Sequence, residues 1–331
     1  METDDKREHL FFFNPNSFPR QADLDRIRSQ ITAYFEHSGN SAYSIHVSRY
    51  PRDAISVIRK RITQIDTAVT VRVYAIGGDG ILFDCLNGII GIPNAELAIM
   101  PFGGGSDFVR AFGLEHYEQF RNIALQVAAP AIPTDIIHCG NNCALNFCTV
   151  GLEAVSVLKT LSLSRYFVNF RSIFPSLTSL LYNLGGILAT FETASFGQWY
   201  TINADGEDIS GVYTIINIAN GPYYGAGKSA VTTAVPDDGI LDMITVGDTY
   251  RIQIVGLMSD YMHGGYYKYP DMASLRRVKK VSIRSDTPLT VNLDGETFFE
   301  SDLSVEIMPG EVKIAAVNSL SYQMKAVFHG Q

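Results

Sequence analysis

The stretches TVRVYAIGGDG at residues 70–80 and ELAIMPFGGGSD at residues 96–107 decide the fold class of this chain. In each stretch, a short run of β-branched and apolar residues leads straight into a glycine-rich turn, and a helix-like segment follows. A repeated order of strand, helix and strand indicates parallel pairing with right-handed crossover connections. The sequence therefore predicts an α/β domain built around these two glycine turns.

The same alternation of predicted strands and helices extends back to the start of the sequence and stops near residue 130. Apolar spacing predicts strands at residues 9–13, 42–47, 70–76 and 96–100, and helices at residues 21–37, 52–62, 81–90 and after residue 107. Further on, short β-rich runs broken by Gly, Asn and Asp are typical of an antiparallel domain. These runs lie at residues 134–138, 144–149, 198–203, 212–219, 241–246, 278–285, 289–293 and 303–308.

We therefore expect two domains. The first comprises residues 1–130, to which about residues 312–331 return, because chain termini often lie close together. The second comprises residues 131–311 and contains an apolar helical insert at residues 155–191.

Composition excludes several classes of protein. The chain has 331 residues, of which 46% are hydrophobic and 18% charged, so it can bury a sizeable core and is not disordered. The net charge of −8 provides no whole-chain basic field, and we expect no nucleic acid partner. The four cysteines lack paired CxxC spacing and lie among apolar residues, which indicates a reducing compartment.

Two segments bear on the location of the protein. The N-terminal residues METDDK are acidic and polar where a signal peptide needs a basic start and an apolar run, so we expect no export. Residues 173–191 carry no charge, but Pro175, Gly185, Gly186 and several polar residues interrupt them. Because a spanning helix needs about 20 predominantly apolar residues, we expect a soluble, cytoplasmic protein.

The turn Gly77-Gly78-Asp79-Gly80 has the features of a phosphate cradle. Glycines let the backbone approach a phosphate, and the start of the following helix offers unpaired N–H groups. The spacing is neither GxGxxG nor that of a P-loop. Asp79 would repel a phosphate unless a divalent cation lay between them, so it predicts Mg²⁺. A plain strand-to-helix turn with an Asp cap is the alternative.

Two more polar loops fall at the same edge of the predicted sheet. The segment from Gly103 to Asp107 follows the next strand, and Asn14-Pro15-Asn16-Ser17 follows the first. Ligands of open α/β sheets bind at the carboxyl ends of the strands, so these loops are expected to converge on one nucleotide site. An ordinary Asn-Pro turn remains the alternative for the first loop.

The β-rich half carries three acidic positions that stand out. Asp135 interrupts an apolar run, where a carboxylate is costly unless it is paired or bound to a metal. The segment from Pro236 to Asp242 is either a polar turn or a loop that coordinates a hard cation. Asp294-Gly295-Glu296 reads as a tight hairpin turn.

Taken in order, these residues resemble one known family. The series comprises Asn14-Pro15-x-Ser17, Gly77-Gly78-Asp79-Gly80, Asn87-Gly88, Pro101-x-Gly103-x-x-x-Asp107-Phe108, Asp135, Gly151-Leu152-Glu153, Asp238-Gly239-x-Leu241-Asp242 and Asp294-Gly295-Glu296. It resembles the diacylglycerol kinase catalytic-domain family, particularly the soluble bacterial lipid kinases related to sphingosine kinases. The likeness spans nearly the whole chain.

The resemblance implies a fold and a reaction. The fold would be a Rossmann-like parallel α/β domain followed by an antiparallel β-sandwich domain, with the active site in the cleft between them. The reaction would be phosphorylation of a lipid hydroxyl by ATP and Mg²⁺. We expect diacylglycerol as the acceptor and phosphatidic acid as the product, with phosphatidylglycerol, a sphingoid base and a glycolipid as the alternatives. The lipid would be met at the inner face of the membrane through peripheral, reversible contact. The oligomeric state stays open, with a homodimer as one alternative.

The resemblance also implies roles for individual residues. Glu296 would be the general base, and Asp135 a second carboxylate of the active site. Asp79 would organise the catalytic Mg²⁺, while Asp238 and the carbonyl groups of Val235 and Ile240 would hold a structural Mg²⁺. The residues expected to contact ATP are Asn14, Pro15, Asn16, Ser17, Ser48, Gly77, Gly78, Asp79, Gly80, Gly103, Gly104 and Asp107.

This chain departs from the family pattern at four positions. Ile81 stands for a Thr after the first glycine loop, Gly104 and Ser106 for a Thr and an Asn in the second, and Phe18 for a Gly after Ser17. Two alternatives therefore stay open: an enzyme similar to NAD kinase, and a catalytically silent nucleotide-binding regulator. The apolar, aromatic insert argues for a lipid acceptor, and retention of the acidic residues argues for an enzyme.

Overall fold

The computed structural model describes residues 7–102, 106–166, 197–225 and 227–322. Gly103 and Gly104, which we expected to contact ATP, and residues 167–191 of the expected insert lie outside the described residues. The described part divides into two units. The first runs to Thr134 and takes in residues 310–322, and the second is Asp135–Pro309.

The first unit is an α/β structure with parallel strands. Its strands are β1 (Arg7–Phe13), β2 (Tyr43–Val47), β3 (Thr70–Gly77) and β4 (Ala95–Pro101), and its α-helices are α1 (Gln21–Ser38), α2 (Asp53–Ile62), α3 (Asp79–Ile89) and α4 (Ile123–Ala128). β1 pairs with both β2 and β3, and β3 pairs with β4, in each case in parallel. Ile314, near the end of β14 (Glu296–Ala315), pairs in parallel with Leu97 of β4.

Apolar periodicity explains why these segments form a layered core. The buried residues of α1 are Leu24, Ile27, Ile31 and Phe35, which recur at three- and four-residue spacing and pack against Phe11 of β1. Burying one such side chain contributes about 1.5–3 kcal/mol. On α3, Gly88 gives room to Ile58 of α2, since a Cβ at Gly88 would lie only 2.8 Å from that side chain.

The segment after β4 differs from the predicted helix. It forms two 3₁₀ helices, Asp107–Phe112 and Leu114–Arg121, before α4 begins. Gly113 lies between them with a φ of 104°, which an α-helix does not accommodate. The helix predicted after residue 107 is therefore delayed: two 3₁₀ helices come first, and the α-helix begins at Ile123.

The second unit is rich in antiparallel strands. Its strands are β6 (Asn142–Ala144), β7 (Phe147–Gly151), β8 (Gln198–Ala204), β9 (Glu207–Asp208), β10 (Gly211–Ala219), β11 (Leu241–Gly247), β12 (Ala273–Val278) and β13 (Lys280–Leu293). β5 (Ala131–Cys139) and β14 contribute their residues between 135 and 309. Neighbours follow the order β12, β11, β10, β7, β13 and β14, while β8 pairs with β9, β10 and β13. The predicted combination of an α/β part and a β-rich part is confirmed.

Some strand limits in this unit differ from the prediction. The strand predicted at residues 278–285 spans two strands, because β12 ends at Val278 and β13 begins at Lys280. The one predicted at residues 144–149 is likewise divided between β6 and β7. Both divisions occur where the chain changes its pairing partner, and alternating hydrophobicity carries no sign of that change.

Two α-helices lie in this unit. α5 (Leu152–Tyr166) begins three residues before the predicted insert, and α6 (Arg251–Tyr261) was not predicted. α6 buries Ile254, Leu257 and Tyr261 in a core cluster with residues of β10 and β11. In the described ranges, no helix combines the length and apolar content that crossing a bilayer requires.

Candidate active site

The ends of the parallel strands bring three predicted loops side by side in the first unit. Hydrogen bonds continue beyond the strands: Ser48 N–H donates to Phe13 O at 2.9 Å, and Asn14 N–H donates to Ile76 O at 3.1 Å. Phe102 N–H donates to Gly77 O at 3.0 Å. With neighbouring strands about 4.8 Å apart, β2 to β4 spans about 14 Å of this edge.

The first loop is built onto the second. Asn14 Oδ1 accepts a hydrogen bond from Asn16 N–H at 3.0 Å and so caps the 3₁₀ turn Pro15–Ser17. Ser17 Oγ accepts one from Gly78 N–H at 3.2 Å. Gly77 has a φ of 151°, and a Cβ there would lie 2.7 Å from Ser17 Oγ. Glycine at this position therefore permits the close approach of the two loops.

Asp79 is the first residue of α3 and joins this loop to the segment after β4. Its Oδ1 accepts a hydrogen bond from Asp107 N–H at 3.1 Å, and Ser106 Oγ donates to Gly77 O at 3.0 Å. The buried Asp107 carboxylate lies 3.2 Å from Arg110 Nε. Asp107 thus orients Asp79 through its backbone, and its own carboxylate is paired.

The residues here fit a magnesium ion that arrives with a nucleotide. Such ions are usually held by one or two protein carboxylates together with phosphate oxygens. Asp79 supplies a carboxylate at the start of a helix, next to the N–H groups of Gly80 and its neighbours in the first turn. Three or more His, Cys, Asp or Glu side chains do not gather into a metal site anywhere in the part of the chain that the structure describes.

The loop between β2 and α2 is tied to α3 as well. Arg52 adopts a φ of 68° and donates to Asp84 from its backbone and its guanidinium, both at 3.1 Å. Burial raises the pKa of Asp84, while the charge of Arg52 opposes that rise. Asp53 accepts hydrogen bonds from Arg49, and these hold the pKa of Asp53 far below its usual range. Ser48 Oγ is buried without a hydrogen-bond partner among the described residues.

Beside Ser17 lies a cavity of about 210 Å³ that sequence reasoning missed. Phe18 and Phe102 line it as a stacked pair with ring centroids 5.4 Å apart, and Arg121 lies 5.4 Å over the Phe102 ring. The departure from the family pattern at Phe18 was the available signal. The Phe18 side chain lines this cavity next to the first loop.

In the second unit, two separately predicted features come together. Asp135 is 3% exposed, and its Oδ2 accepts a hydrogen bond from Gly239 N–H at 2.6 Å. Its backbone N–H donates to Pro236 O at 2.8 Å. The buried carboxylate and the predicted cation loop therefore form one structure across 104 residues of sequence.

Among the donor atoms predicted for the structural Mg²⁺, the carboxylate oxygens of Asp238 and the carbonyl oxygen of Val235 carry protein partners. Asp238 Oδ1 accepts a hydrogen bond from Ile240 N–H at 3.1 Å, and Asp238 Oδ2 contacts a guanidinium nitrogen of Arg277. Val235 O accepts one from Asp237 N–H at 2.9 Å. The magnesium role of Val235, Asp238 and Ile240 stays a prediction, and this arrangement does not fit it.

The predicted hairpin separates the roles of its two acidic residues. Asp294 (φ 48°) and Gly295 (φ 91°) form the turn between β13 and β14. The Asp294 carboxylate is 8% exposed and accepts hydrogen bonds from the backbone of Leu145, Asn146 and Phe147 at 2.7, 3.1 and 2.9 Å. Asp294 therefore holds a neighbouring loop, whereas Glu296, half-buried, opens β14.

A further buried carboxylate belongs to a motif of the family but had no predicted role. Glu153 accepts hydrogen bonds from Tyr224 Oη at 2.8 Å and from Tyr261 Oη and Asn217 Nδ2, both at 3.2 Å. Burial raises the pKa of Glu153. Its position among apolar residues at the start of α5 was the sequence signal.

Two family models match separate parts of the chain. Residues 8–139 match the family described as "Diacylglycerol kinase catalytic domain", and residues 171–316 match "YegS C-terminal NAD kinase beta sandwich-like domain". A protein of Staphylococcus aureus strain JH9 named "Putative lipid kinase" is 24% identical over 288 residues, covering 84% of this chain and 87% of that protein.

Solved structures show the same fold. One described as a diacylglycerol kinase from Bacillus anthracis strain Sterne aligns with a TM-score of 0.67 and 21% identity, covering 93% of this chain and 96% of that one. A second from the same organism gives 0.69 and 19%, covering 95% and 98%. The two matched domains follow one another in the order that the motifs predict, and the predicted resemblance to the diacylglycerol kinase catalytic-domain family is confirmed.

Proposed function

We propose that this protein is a lipid kinase that transfers the γ-phosphoryl group of ATP to a lipid hydroxyl, with diacylglycerol as the acceptor. The observation that carries the proposal is the interlocked set of loops in the first unit, in which Ser17 contacts Gly78 and Asp107 holds Asp79. The names of the relatives supply the class of acceptor. Residues 155–191, with their many apolar side chains, support a lipid rather than a dinucleotide substrate.

The first unit would bind the nucleotide. Backbone N–H groups at the start of α3 offer hydrogen bonds and a partial positive charge to phosphate oxygens. Asp79 would hold Mg²⁺, which neutralises the charge of the phosphates when it is bound. Because Asp79 is already oriented by Asp107 N–H, little reorganisation is required when the nucleotide binds.

Glu296 would act on the acceptor. Its carboxylate accepts the proton of the lipid hydroxyl, the hydroxyl oxygen forms a bond to the γ-phosphorus, and the bond from that phosphorus to the ADP oxygen breaks. General base catalysis of this kind typically contributes about 10²- to 10⁴-fold. Asp135, held by the loop at Gly239, would help to orient the reacting groups.

A kinase assay with labelled ATP and a panel of lipids in mixed micelles tests the proposal, with NAD as an added acceptor. We expect label in phosphatidic acid. Label in NADP would favour the enzyme similar to NAD kinase. Nucleotide binding without transfer to any acceptor would favour the silent regulator, an alternative that the departures at Ile81 and Gly104 support.

Two variants test the roles within that assay. Glu296→Gln should lower kcat by about 10²-fold or more and leave ATP affinity within a few-fold. Glu300→Gln is the matched control, because Glu300 lies on the same strand and is exposed. Asp79→Asn should weaken Mg²⁺-ATP binding in a calorimetric titration. Near-normal turnover of either active-site variant removes that residue from its role.

The lipid would be met through weak, reversible contact at the inner face of the membrane, since the acceptor resides in a bilayer. Phe167 and Phe170, within the apolar insert but outside the described residues, are the proposed contacts. The wild type should sediment with vesicles that contain the acceptor, and the double change of these residues to Ser should reduce sedimentation. Unchanged vesicle binding would place the contact elsewhere.

A further inference from the structure

The loop between Val235 and Asp242 concentrates negative charge. Asp237 and Asp238 belong to it, Asp242 follows on β11, and Asp135 is bound to the loop through Gly239. Asp242 is 2% exposed. Negative charges this close repel one another, and a cation in contact with them reduces that repulsion.

Arg277 is the cation that the structure places there. It lies on β12, the strand that pairs with β11 immediately after the loop. One guanidinium nitrogen contacts Asp238 Oδ2, and Nε lies 3.3 Å from Asp242 Oδ1. Asp242 Oδ2 accepts a hydrogen bond from Thr233 Oγ1 at 2.7 Å. One arginine therefore bridges an outer and a buried carboxylate.

A divalent ion would compete with this arrangement. Asp238 Oδ2 already contacts the guanidinium, and Oδ1 accepts a hydrogen bond from Ile240 N–H at 3.1 Å. An ion bound to either oxygen would lie close to the guanidinium, and the two cations would repel one another. Val235 O, the second expected ligand, already accepts a hydrogen bond from Asp237 N–H at 2.9 Å. The loop is therefore arranged around the guanidinium of Arg277, a half-exposed side chain that reaches the buried Asp242.

We infer that Arg277 is the resident cation of this loop in place of a divalent metal ion, and that it holds the loop that positions Asp135. Arg277 forms an ion pair with Asp238. The next residue, Gly239, donates a hydrogen bond to Asp135 Oδ2 at 2.6 Å, and Pro236 O accepts one from Asp135 N–H at 2.8 Å. Arg277 is a positioning residue, and its effect on turnover rests on the proposed function.

Thermal unfolding without nucleotide tests the cation role independently of any activity. The wild type should melt at the same temperature in EDTA and in millimolar MgCl₂. Arg277→Met should melt about 5 °C lower in EDTA, because it leaves buried negative charge uncompensated, and MgCl₂ should restore much of the loss. Arg277→Lys retains the charge and should stay close to the wild type.

Arg276→Met is the matched control. Arg276 is the preceding residue on the same strand and pairs with the exposed Glu207 at 3.0 Å. Its loss should change the melting temperature little and create no response to MgCl₂. In the kinase assay, Arg277→Met should lower kcat several-fold with the KM for ATP unchanged, whereas Arg276→Met should alter neither.

Two results would overturn the inference. One is a wild type whose melting temperature falls in EDTA and loses that response in Asp238→Asn, since a bound metal would then be the resident cation. The other is an Arg277→Met protein that behaves as Arg276→Met does. If Arg277→Met does not fold, titration of the wild type with Mn²⁺, followed by electron paramagnetic resonance, replaces it. Mn²⁺ binding that is lost in Asp238→Asn would refute the inference. Absence of Mn²⁺ binding that depends on Asp238 would support it.

Discussion

Replacing Asp294 by Asn should destabilise the second unit strongly, although the two side chains have the same shape. The Asp294 carboxylate accepts backbone hydrogen bonds from Leu145, Asn146 and Phe147 at 2.7–3.2 Å in a buried site. An amide presents one oxygen and one NH₂ group to those three donors. At least one N–H group then loses its acceptor and faces another donor.

The magnitude follows from those contacts. A hydrogen bond to a charged group contributes about 1.5–3 kcal/mol, and an unsatisfied buried donor costs about 1–3 kcal/mol. We therefore expect Asp294→Asn to lower the free energy of unfolding by about 3 kcal/mol. The positive φ of 48° adds nothing to this loss, because Asn adopts that conformation readily.

Urea unfolding at neutral pH measures the effect, with Asp205→Asn as the control. Asp205 and Gly206 form a turn with nearly the same angles, φ 50° and 93°. Asp205 also accepts two backbone hydrogen bonds, from Lys279 and Lys280 at 2.8 Å, but it is exposed. Its variant should lose less than half as much. Equal losses in the two variants would refute the assignment of the effect to burial of the acceptors.

Three further predictions concern single side chains. Burial and the charges of Arg72 and Arg7 lower the pKa of His9 to about 3, so protonation of His9 favours the unfolded chain. The free energy of unfolding in urea should fall by about 1.4 kcal/mol per pH unit as pH falls from 6.5 towards 3. His9→Phe should remove this pH dependence, whereas a change at the exposed His37 should retain it. Because the pKa of Glu153 is raised, the folded state binds the proton of Glu153 more tightly, and the stability present below pH 4.5 is lost as pH rises through the folded pKa. The melting temperature of Glu153→Gln should depend less on pH over that range. An unchanged pH dependence would contradict the burial argument. Ser48→Ala should leave the melting temperature unchanged, because the buried hydroxyl of Ser48 has no hydrogen-bond partner among the described residues. The same change should raise the KM for ATP several-fold in steady-state kinetics. An unaltered KM would exclude Ser48 from the nucleotide site.

Local patterns of the sequence determined the first unit and its loops. β3 was predicted at residues 70–76 and is Thr70–Gly77, and α1 was predicted at residues 21–37 and is Gln21–Ser38. Each of these elements is encoded by the spacing of apolar residues within about 18 positions, ended by Gly, Pro or Asn. Because parallel strands present their carboxyl ends at one edge, the same patterns also placed the loops at Asn14 and Gly77 next to each other.

The tertiary structure alone decided which acidic side chains are held by other parts of the chain. Asp294 holds a loop 147–149 residues earlier in the sequence, and Asp135 accepts a hydrogen bond from Gly239, 104 residues later. The pairing of Arg277 with Asp238 and Asp242 is of the same kind. Sequence periodicity describes neighbours along the chain, whereas these contacts depend on which strands pair and in which register. For that reason the sequence does not show which carboxylates stabilise a turn or loop. Their hydrogen-bond partners become visible only once the chain has folded.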